Sequence, residues 1–237
     1  MKKLMDQQQN DNQQNYRYER KFNVLGLSPE YIEKIIKNHP AMFSEIFYKR
    51  YINNIYFDDY DFTGFYKNIN GNYERIKYRI RWYGNFYGKI ENPLLEIKIR
   101  RGYIGEKISY NLKPFEIFEN VNINNIMTII LNSDLPEQVI LYIKSQLPVV
   151  ANRYARKYFK SADNKFRITL DTNISYYQLN GINLSFKHKL KDYDPVVLEL
   201  KYDVEDEEYV SEITSLLPFR ITRNSKYANA VEKLFLF

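Results

Sequence analysis

A chain of 237 residues with 44% hydrophobic and 27% charged residues carries enough apolar mass for a core, which excludes wholesale disorder. It has no cysteine, which excludes disulfides, thiolate catalysis and Cys-ligated metal. The balance of 35 basic against 29 acidic residues leaves a net charge of +6, which suits a polyanionic partner.

The first fifteen residues are polar and rich in Gln and Asn; they cannot bury a core and are expected to form a disordered tail (1–15), with one domain over 16–237. Tyr16–Val24 alternates and reads as a strand. Ser28-Pro29-Glu30 opens a helix, with Ile32, Ile35 and Ile36 on its apolar face. Strands follow at Glu45–Phe57, Tyr73–Tyr83, Leu94–Arg101 and Glu106–Leu112, the last two as a hairpin. Between 115 and 150 the spacing changes: Ile123, Ile126, Met127 and Ile130, then Val139, Ile140, Ile143 and Leu147, predict two helices. Strands resume at Val149–Phe159, Phe166–Asp171 and Val196–Tyr202. A hairpin is expected around Asn180-Gly181, a helix over Glu205–Leu217, and a last helix over Lys226–Leu234 capped by Asn224 or Ser225.

The 23 Tyr and 15 Phe against one Trp also favour pleated, half-buried surfaces. The two histidines, His39 and His188, sit in no metal spacing and read as surface or cap residues. No apolar run approaches the roughly 20 residues that cross a bilayer, and the N-terminus lacks the apolar stretch of a secretion signal. A cytoplasmic location is therefore expected.

The strands carry the chemical signal. Residues i, i+2 and i+4 of a strand share a face. Lys77, Arg79 and Arg81 thus point one way, as do Glu96, Lys98 and Arg100. Glu19 with Lys21, Tyr154 with Arg156, Arg167 with Thr169 and Asp171, and Glu199 with Lys201 behave alike. A Glu precedes a Lys by two residues on three separate strands: Glu19-x-Lys21, Glu96-x-Lys98 and Glu199-x-Lys201. One such strand reads as a solvated face; the repetition points to a shared charged surface. Cations gathered in an enclosed interior repel and lose hydration, so they require an anion. A phosphate chain supplies one, with Arg binding in a fork and Lys as a point charge.

These segments together, YRYERKF (16–22), KYRIRWY (77–83), LLEIKIR (94–100), NRYARKYF (152–159), FRITLD (166–171), VVLELKY (196–202) and NSKYANAVE (224–232), resemble the VTC domain of polyphosphate polymerases, within the CYTH or triphosphate-tunnel superfamily. The resemblance implies an α+β fold: a closed antiparallel β-barrel with flanking helices and a basic lumen. It implies phosphate contacts from Lys21, Arg79, Arg81, Lys98, Arg156, Arg167 and Lys226. Lys77, Arg100, Lys107, Tyr154, Lys201 and Ser225 would assist substrate binding. Glu199 would hold Mn2+ or Mg2+. The Ser225-Lys226 pair would open the last helix, whose free N–H groups favour an anion. The strand near Lys107 departs from the family pattern, with one lysine where several basic residues are usual.

The implied activity is transfer of the γ-phosphoryl group of ATP to a growing polyphosphate, with product translocation left to a separate membrane-spanning subunit. Two rivals keep the fold. A triphosphatase or nucleoside triphosphatase would use a metal-activated water; its first strand usually reads E-x-E-x-K, whereas Arg17 stands in the place of the first glutamate here. A polyphosphate sensor would need the cations but not Glu199. Nucleic acid is not the expected partner, because the basic residues alternate within strands and form no arm or RNA-binding motif.

Overall fold

The computed structural model describes residues 17–102, 104–179, 183–186, 189–192 and 196–236. The expected tail over 1–15, the Asn180-Gly181 turn and His188 lie outside the described residues. Strand β1 (Arg17–Val24) leads into helix α1 (Pro29–Lys37). Ser28 caps that helix as expected, its Oγ accepting from the Tyr31 N–H at 3.2 Å. Then come β2 (Ser44–Asp58), α2 (Thr63–Ile69), β3 (Glu74–Tyr83), β4 (Gly88–Ile90), β5 (Leu94–Arg101) and β6 (Ile104–Asn111). The short β7 (Phe115–Ile117) and β8 (Asn120–Asn122) precede the two expected helices, α3 (Ile123–Leu131) and α4 (Glu137–Ile143). Strands β9 (Leu147–Lys160), β10 (Arg167–Gln178), β11 (Asn183–Ser185), β12 (Lys189–Asp192) and β13 (Val196–Asp203) follow.

The single helix expected over Glu205–Leu217 is instead a 3-10 segment, Val204–Tyr209, followed by α5 (Val210–Thr214). The first half reads VEDEEY and buries no residue, so no apolar stripe draws it into a regular α-helix. Ser225 caps α6 (Lys226–Val231), which loosens into a π turn over Glu232–Leu236.

The main sheet has nine strands in the order β1-β13-β10-β9-β2-β3-β5-β6, with β12 added beside β10. Every ladder along this order is antiparallel. The closed barrel expected from the sequence is not formed: among the described residues no ladder joins β1 to β6. Residues 221–222 take up the outer edge of β1 instead. Ile221 bridges Phe22, the Thr222 N–H donates to the Lys21 carbonyl at 2.7 Å, and Thr222 Oγ1 accepts from the Asn23 N–H at 2.9 Å. Around Phe22 the edge is thereby occupied, and a closing strand cannot pair there.

The sheet nevertheless curls. Lys98 on β5 reaches Glu19 on β1 at 3.4 Å, although these strands lie near opposite ends of the order. The polar residues of the alternating strands thus occupy a concave face and the apolar ones its back. Over β3, β5 and β6 the back buries Ile80, Trp82, Leu95 and Ile97 against Ile126, Ile130, Val139 and Ile143 of α3 and α4. Over β1, β13 and β10 it buries Phe22, Leu198, Leu200 and Ile168 against Ile32 and Ile36 of α1. Burying one such side chain contributes about 1.5–3 kcal/mol, so the back face holds the curl. Helix α6 enters the concave side, where Tyr227, Ala228, Ala230 and Val231 pack on Tyr56, Val150, Tyr154 and Tyr176. Its position is fixed by Asp58, which accepts from Tyr227 Oη and from the N–H groups of Gly64 and Phe65 at 2.8 and 2.9 Å.

His39 is not at the surface. It is buried; Nδ1 accepts from the Ala41 N–H at 3.1 Å, which leaves Nε2 to donate to the Ile213 carbonyl at 3.0 Å. No helix among the described residues is long and apolar enough to cross a membrane.

Candidate functional site in the concave face

Registers set the site. Residues directly opposite in a ladder share a face. Lys21 lies opposite Glu199, Glu199 opposite Thr169, Asp171 opposite Arg156, and Arg156 opposite Arg50. Across the sheet Asn54 faces Arg81, Tyr56 faces Arg79, Arg79 faces Glu96, and Lys77 faces Lys98, which faces Lys107. The predicted cations therefore converge on one surface.

That surface contains two charge centres. In the first, Asp171 is fully buried and receives both Nε and Nη2 of Arg156, at 2.5 and 2.6 Å, and Lys226 Nζ at 2.5 Å. Glu199 adjoins it, 3.1 Å from Arg156 and 3.5–3.7 Å from Lys21, Lys201 and Lys226. Burial would raise the Glu199 carboxyl, but Lys21, Arg156, Lys226 and Lys201 outweigh it and hold it well below the usual carboxylate range. Tyr154 completes this centre, with its ring 4.7 Å from Lys226 Nζ and 5.3 Å from the Arg156 guanidinium carbon.

The second centre is built on Glu96, which is 2% exposed. Arg79 binds it at 2.6 and 2.7 Å, Arg81 at 3.4 Å and Lys107 at 3.1 Å. Burial raises this carboxyl, yet Arg79, Arg81 and Lys107 bring it down to about 2. Arg81 is oriented further by Asn54 Oδ1 at 2.8 Å, and Asn54 is itself held by Asn152 at 2.7 Å. Arg79 donates to Tyr56 Oη at 3.2 Å. Lys107, whose strand departs from the family pattern, thus does line this face.

Between the centres the charges do not cancel. Lys77, Lys98 and Lys107 stand opposite one another in successive ladders, and like charges in that relation repel. Glu19 draws Lys98 at 3.4 Å, Lys21 at 3.7 Å and Lys201 at 3.9 Å. Lys77 forms no ion pair with a carboxylate among the described residues; its Nζ donates to Ser225 Oγ at 2.7 Å. Burial, then Lys21, Lys98, Arg75 and Arg79, push its ammonium well below the usual lysine range.

Arg167 and Arg100 lie apart from these centres. Both register on the same face but are exposed, Arg167 opposite Lys201 and Lys160, and Arg100 donating from Nε to the Gly102 carbonyl at 3.1 Å. Ser225 is used by its own helix, accepting from the Ala228 N–H at 3.3 Å, and by Lys77. Helix α6 is only six residues long, so its N-terminus is no anion site by itself.

Asp171 and Glu96, placed by the sequence on the charged strand faces but given no partner there, hold the arginines in place. Other participants were not singled out from the sequence. Arg75 lies two residues before Lys77 on the same face, with its Nε buried and unpartnered. Burial, Arg100 and Arg223 lower its ionisation. The alternation that marked Lys77 extends to Arg75 in YERIKYRIRWY, so that signal was available; Arg223 sits in a loop that no periodicity reaches.

For a metal, the donor set is Glu199 and Glu19, two carboxylates that raise one another and share Lys21 and Lys201. Among the described residues no group of three or more acidic, His or Cys side chains converges. Such a set fits a hard divalent ion that takes one or two carboxylates and completes its shell with phosphate oxygens.

The described residues thus form an antiparallel sheet curled around a cation-rich face, with helices on its back. The fold is similar to that of an adenylate-cyclase candidate from Vibrio parahaemolyticus (TM-score 0.52, 13% identity, covering 91% of this chain and 98% of that one). It is also similar to HpAC1 from Hippeastrum, an adenylyl-cyclase candidate described as having a dominant triphosphatase activity (TM-score 0.51, 14% identity, 92% and 96% covered). No curated protein matches the chain. The family model of the VTC domain matches residues 16–235, and the chain belongs to that family.

Proposed function

We propose that the chain is a polyphosphate polymerase, which transfers the γ-phosphoryl group of ATP to the end of a polyphosphate held in the concave face. The observation that carries this reading is Lys77, a half-buried ammonium that stands opposite Lys98 on the concave face and donates to the neutral Ser225 Oγ. An interior of that kind is stabilised by a polyanion, and VTC membership makes phosphate the natural one.

Phosphoryl transfer depends mainly on positioning and charge stabilisation. Arg79, Arg81 and Arg156 are held by buried carboxylates, so their forks are oriented before substrate arrives. Lys21, Lys77, Lys98, Lys201 and Lys226 add positive field, while Arg167 and Arg100 extend it at the exposed margin. The attacking group is already an anionic phosphate oxygen, so no strong general base is required. Glu199, with Glu19, would hold Mn2+ or Mg2+ jointly with substrate phosphates. When bound, that ion neutralises charge on the transferring group.

The test is incubation of the purified protein with ATP and Mn2+. Long phosphate polymer is expected; folded protein that makes none overturns the reading. A second reading, hydrolysis of triphosphate, is favoured by the activity attributed to the Hippeastrum protein. Release of orthophosphate from tripolyphosphate, without polymer, would select it.

A further inference from the structure

The near half of β2, Ser44–Lys49, is exposed along its whole length, yet it carries Ile46, Phe47 and Tyr48, which are 50%, 40% and 72% exposed. Apolar groups of this size side by side in water mark a contact surface. Phe47 and Tyr48 also pack on one another and on Arg50. The Arg50 guanidinium carbon lies 4.6 Å from the Phe47 ring centre, 4.4 Å from that of Tyr83 and 4.8 Å from that of Tyr158. Arg50 Nε donates to Tyr158 Oη at 2.8 Å. Tyr48 stacks on Phe47 with ring centres 4.3 Å apart and planes 27° apart. The result is an aromatic platform whose outermost ring, Tyr48, is largely open to solvent.

Its location gives it meaning. Arg50 stands directly opposite Arg156, and Phe47 opposite Tyr158, in the β2–β9 ladder. Tyr158 is two residues beyond Arg156, and Tyr83 two beyond Arg81, on the same concave face. Two residues of strand span roughly 7 Å, about the length of a ribose between a phosphate and a base. The platform also lies on the opposite side of Arg156 and Ile52 from Tyr56 and Val150, which α6 covers.

We propose that this platform is a nucleobase shelf: with the triphosphate of a nucleotide on Arg81 and Arg156, the base stacks on Tyr48 and Phe47 outside the groove. The inference rests on the groove being a triphosphate site, and adds to it the feature that tells a nucleoside triphosphate from bare polyphosphate. Stacking tolerates every base, because each has a π-face, so the shelf selects for a nucleoside and not for adenine in particular.

The test compares ATP with inorganic tripolyphosphate by titration calorimetry on wild type and on the F47A/Y48A double variant. The double variant is expected to bind ATP about tenfold more weakly, with tripolyphosphate affinity unchanged. Tyr48→Trp, which enlarges the ring, is expected to tighten ATP alone. Equal loss of both ligands, or no loss of ATP, overturns the shelf and leaves the groove standing. A folded wild type that binds neither ligand overturns the groove and the shelf together.

Discussion

Lys77 donates to Ser225 Oγ at 2.7 Å, and this contact joins β3 to the cap of α6 across the concave face. It ties a half-buried cation to a neutral oxygen, and loss of hydration together with the neighbouring cations lowers its ionisation. A folded-state pKa depressed below the ordinary lysine value means that holding the proton costs stability, and that a nearby anion reverses the cost. Tripolyphosphate binding is therefore expected to take up protons as pH rises through the depressed pKa of Lys77. Calorimetry in buffers of different ionisation enthalpy measures that uptake. Lys77→Met is expected to abolish it; uptake that persists in the variant assigns it to another group.

Asp171 neutralises two buried cations, Arg156 and Lys226. Removing one partner of a buried pair leaves an uncompensated charge, at a cost of about 3–5 kcal/mol. Asp171→Asn is expected to lower the unfolding free energy by about that amount in urea titrations. Added tripolyphosphate is expected to restore part of it. An Asp171→Asn protein as stable as wild type would mean that solvent, not the carboxylate, neutralises the pair.

On the proposed reading, Glu199 is needed for turnover and not for binding. Glu199→Gln keeps the size of the side chain and removes its charge. Tripolyphosphate affinity is expected to be retained and phosphoryl transfer lost, as read by calorimetry and by polymer formation. Wild-type protein that binds but does not turn over would identify a sensor.

Acid is expected to loosen the second centre. The Glu96 carboxyl falls from an ordinary value of 4.5 to about 2, so its contribution is fully present above the unfolded value and is lost as pH falls toward the folded one. The shift corresponds to roughly 3 kcal/mol. Stability should therefore decline between about pH 4.5 and 2, and the decline attributable to this group should vanish in Glu96→Gln. Denaturant titrations across that range measure it.

Much of this was legible in the chain. The period-two alternation of KYRIRWY and LLEIKIR fixed which residues share a face, because a strand leaves only two choices. The family resemblance selected the inward one. Closure of the sheet was not legible: it depends on whether residues 221–222 or a distant strand occupies the edge of β1, and neither has a local signature. Nor were the partners of each cation. Glu96 stands out in the Glu-x-Lys repeat and Asp171 on the face of Arg167, but which arginine each holds follows only from the registers that bring Arg79 and Arg156 beside them. His39 read as a peripheral residue because nothing nearby in sequence hints at the Ile213 carbonyl that buries it.

The seam between β1 and β5 is spanned by Lys98 and Glu19 and by no backbone ladder. A half-exposed ion pair of this sort holds by about 1 kcal/mol or less and weakens as ions are added. On the function proposed above, a linear polyphosphate would have a sideways route in or out that a hydrogen-bonded cylinder would deny it.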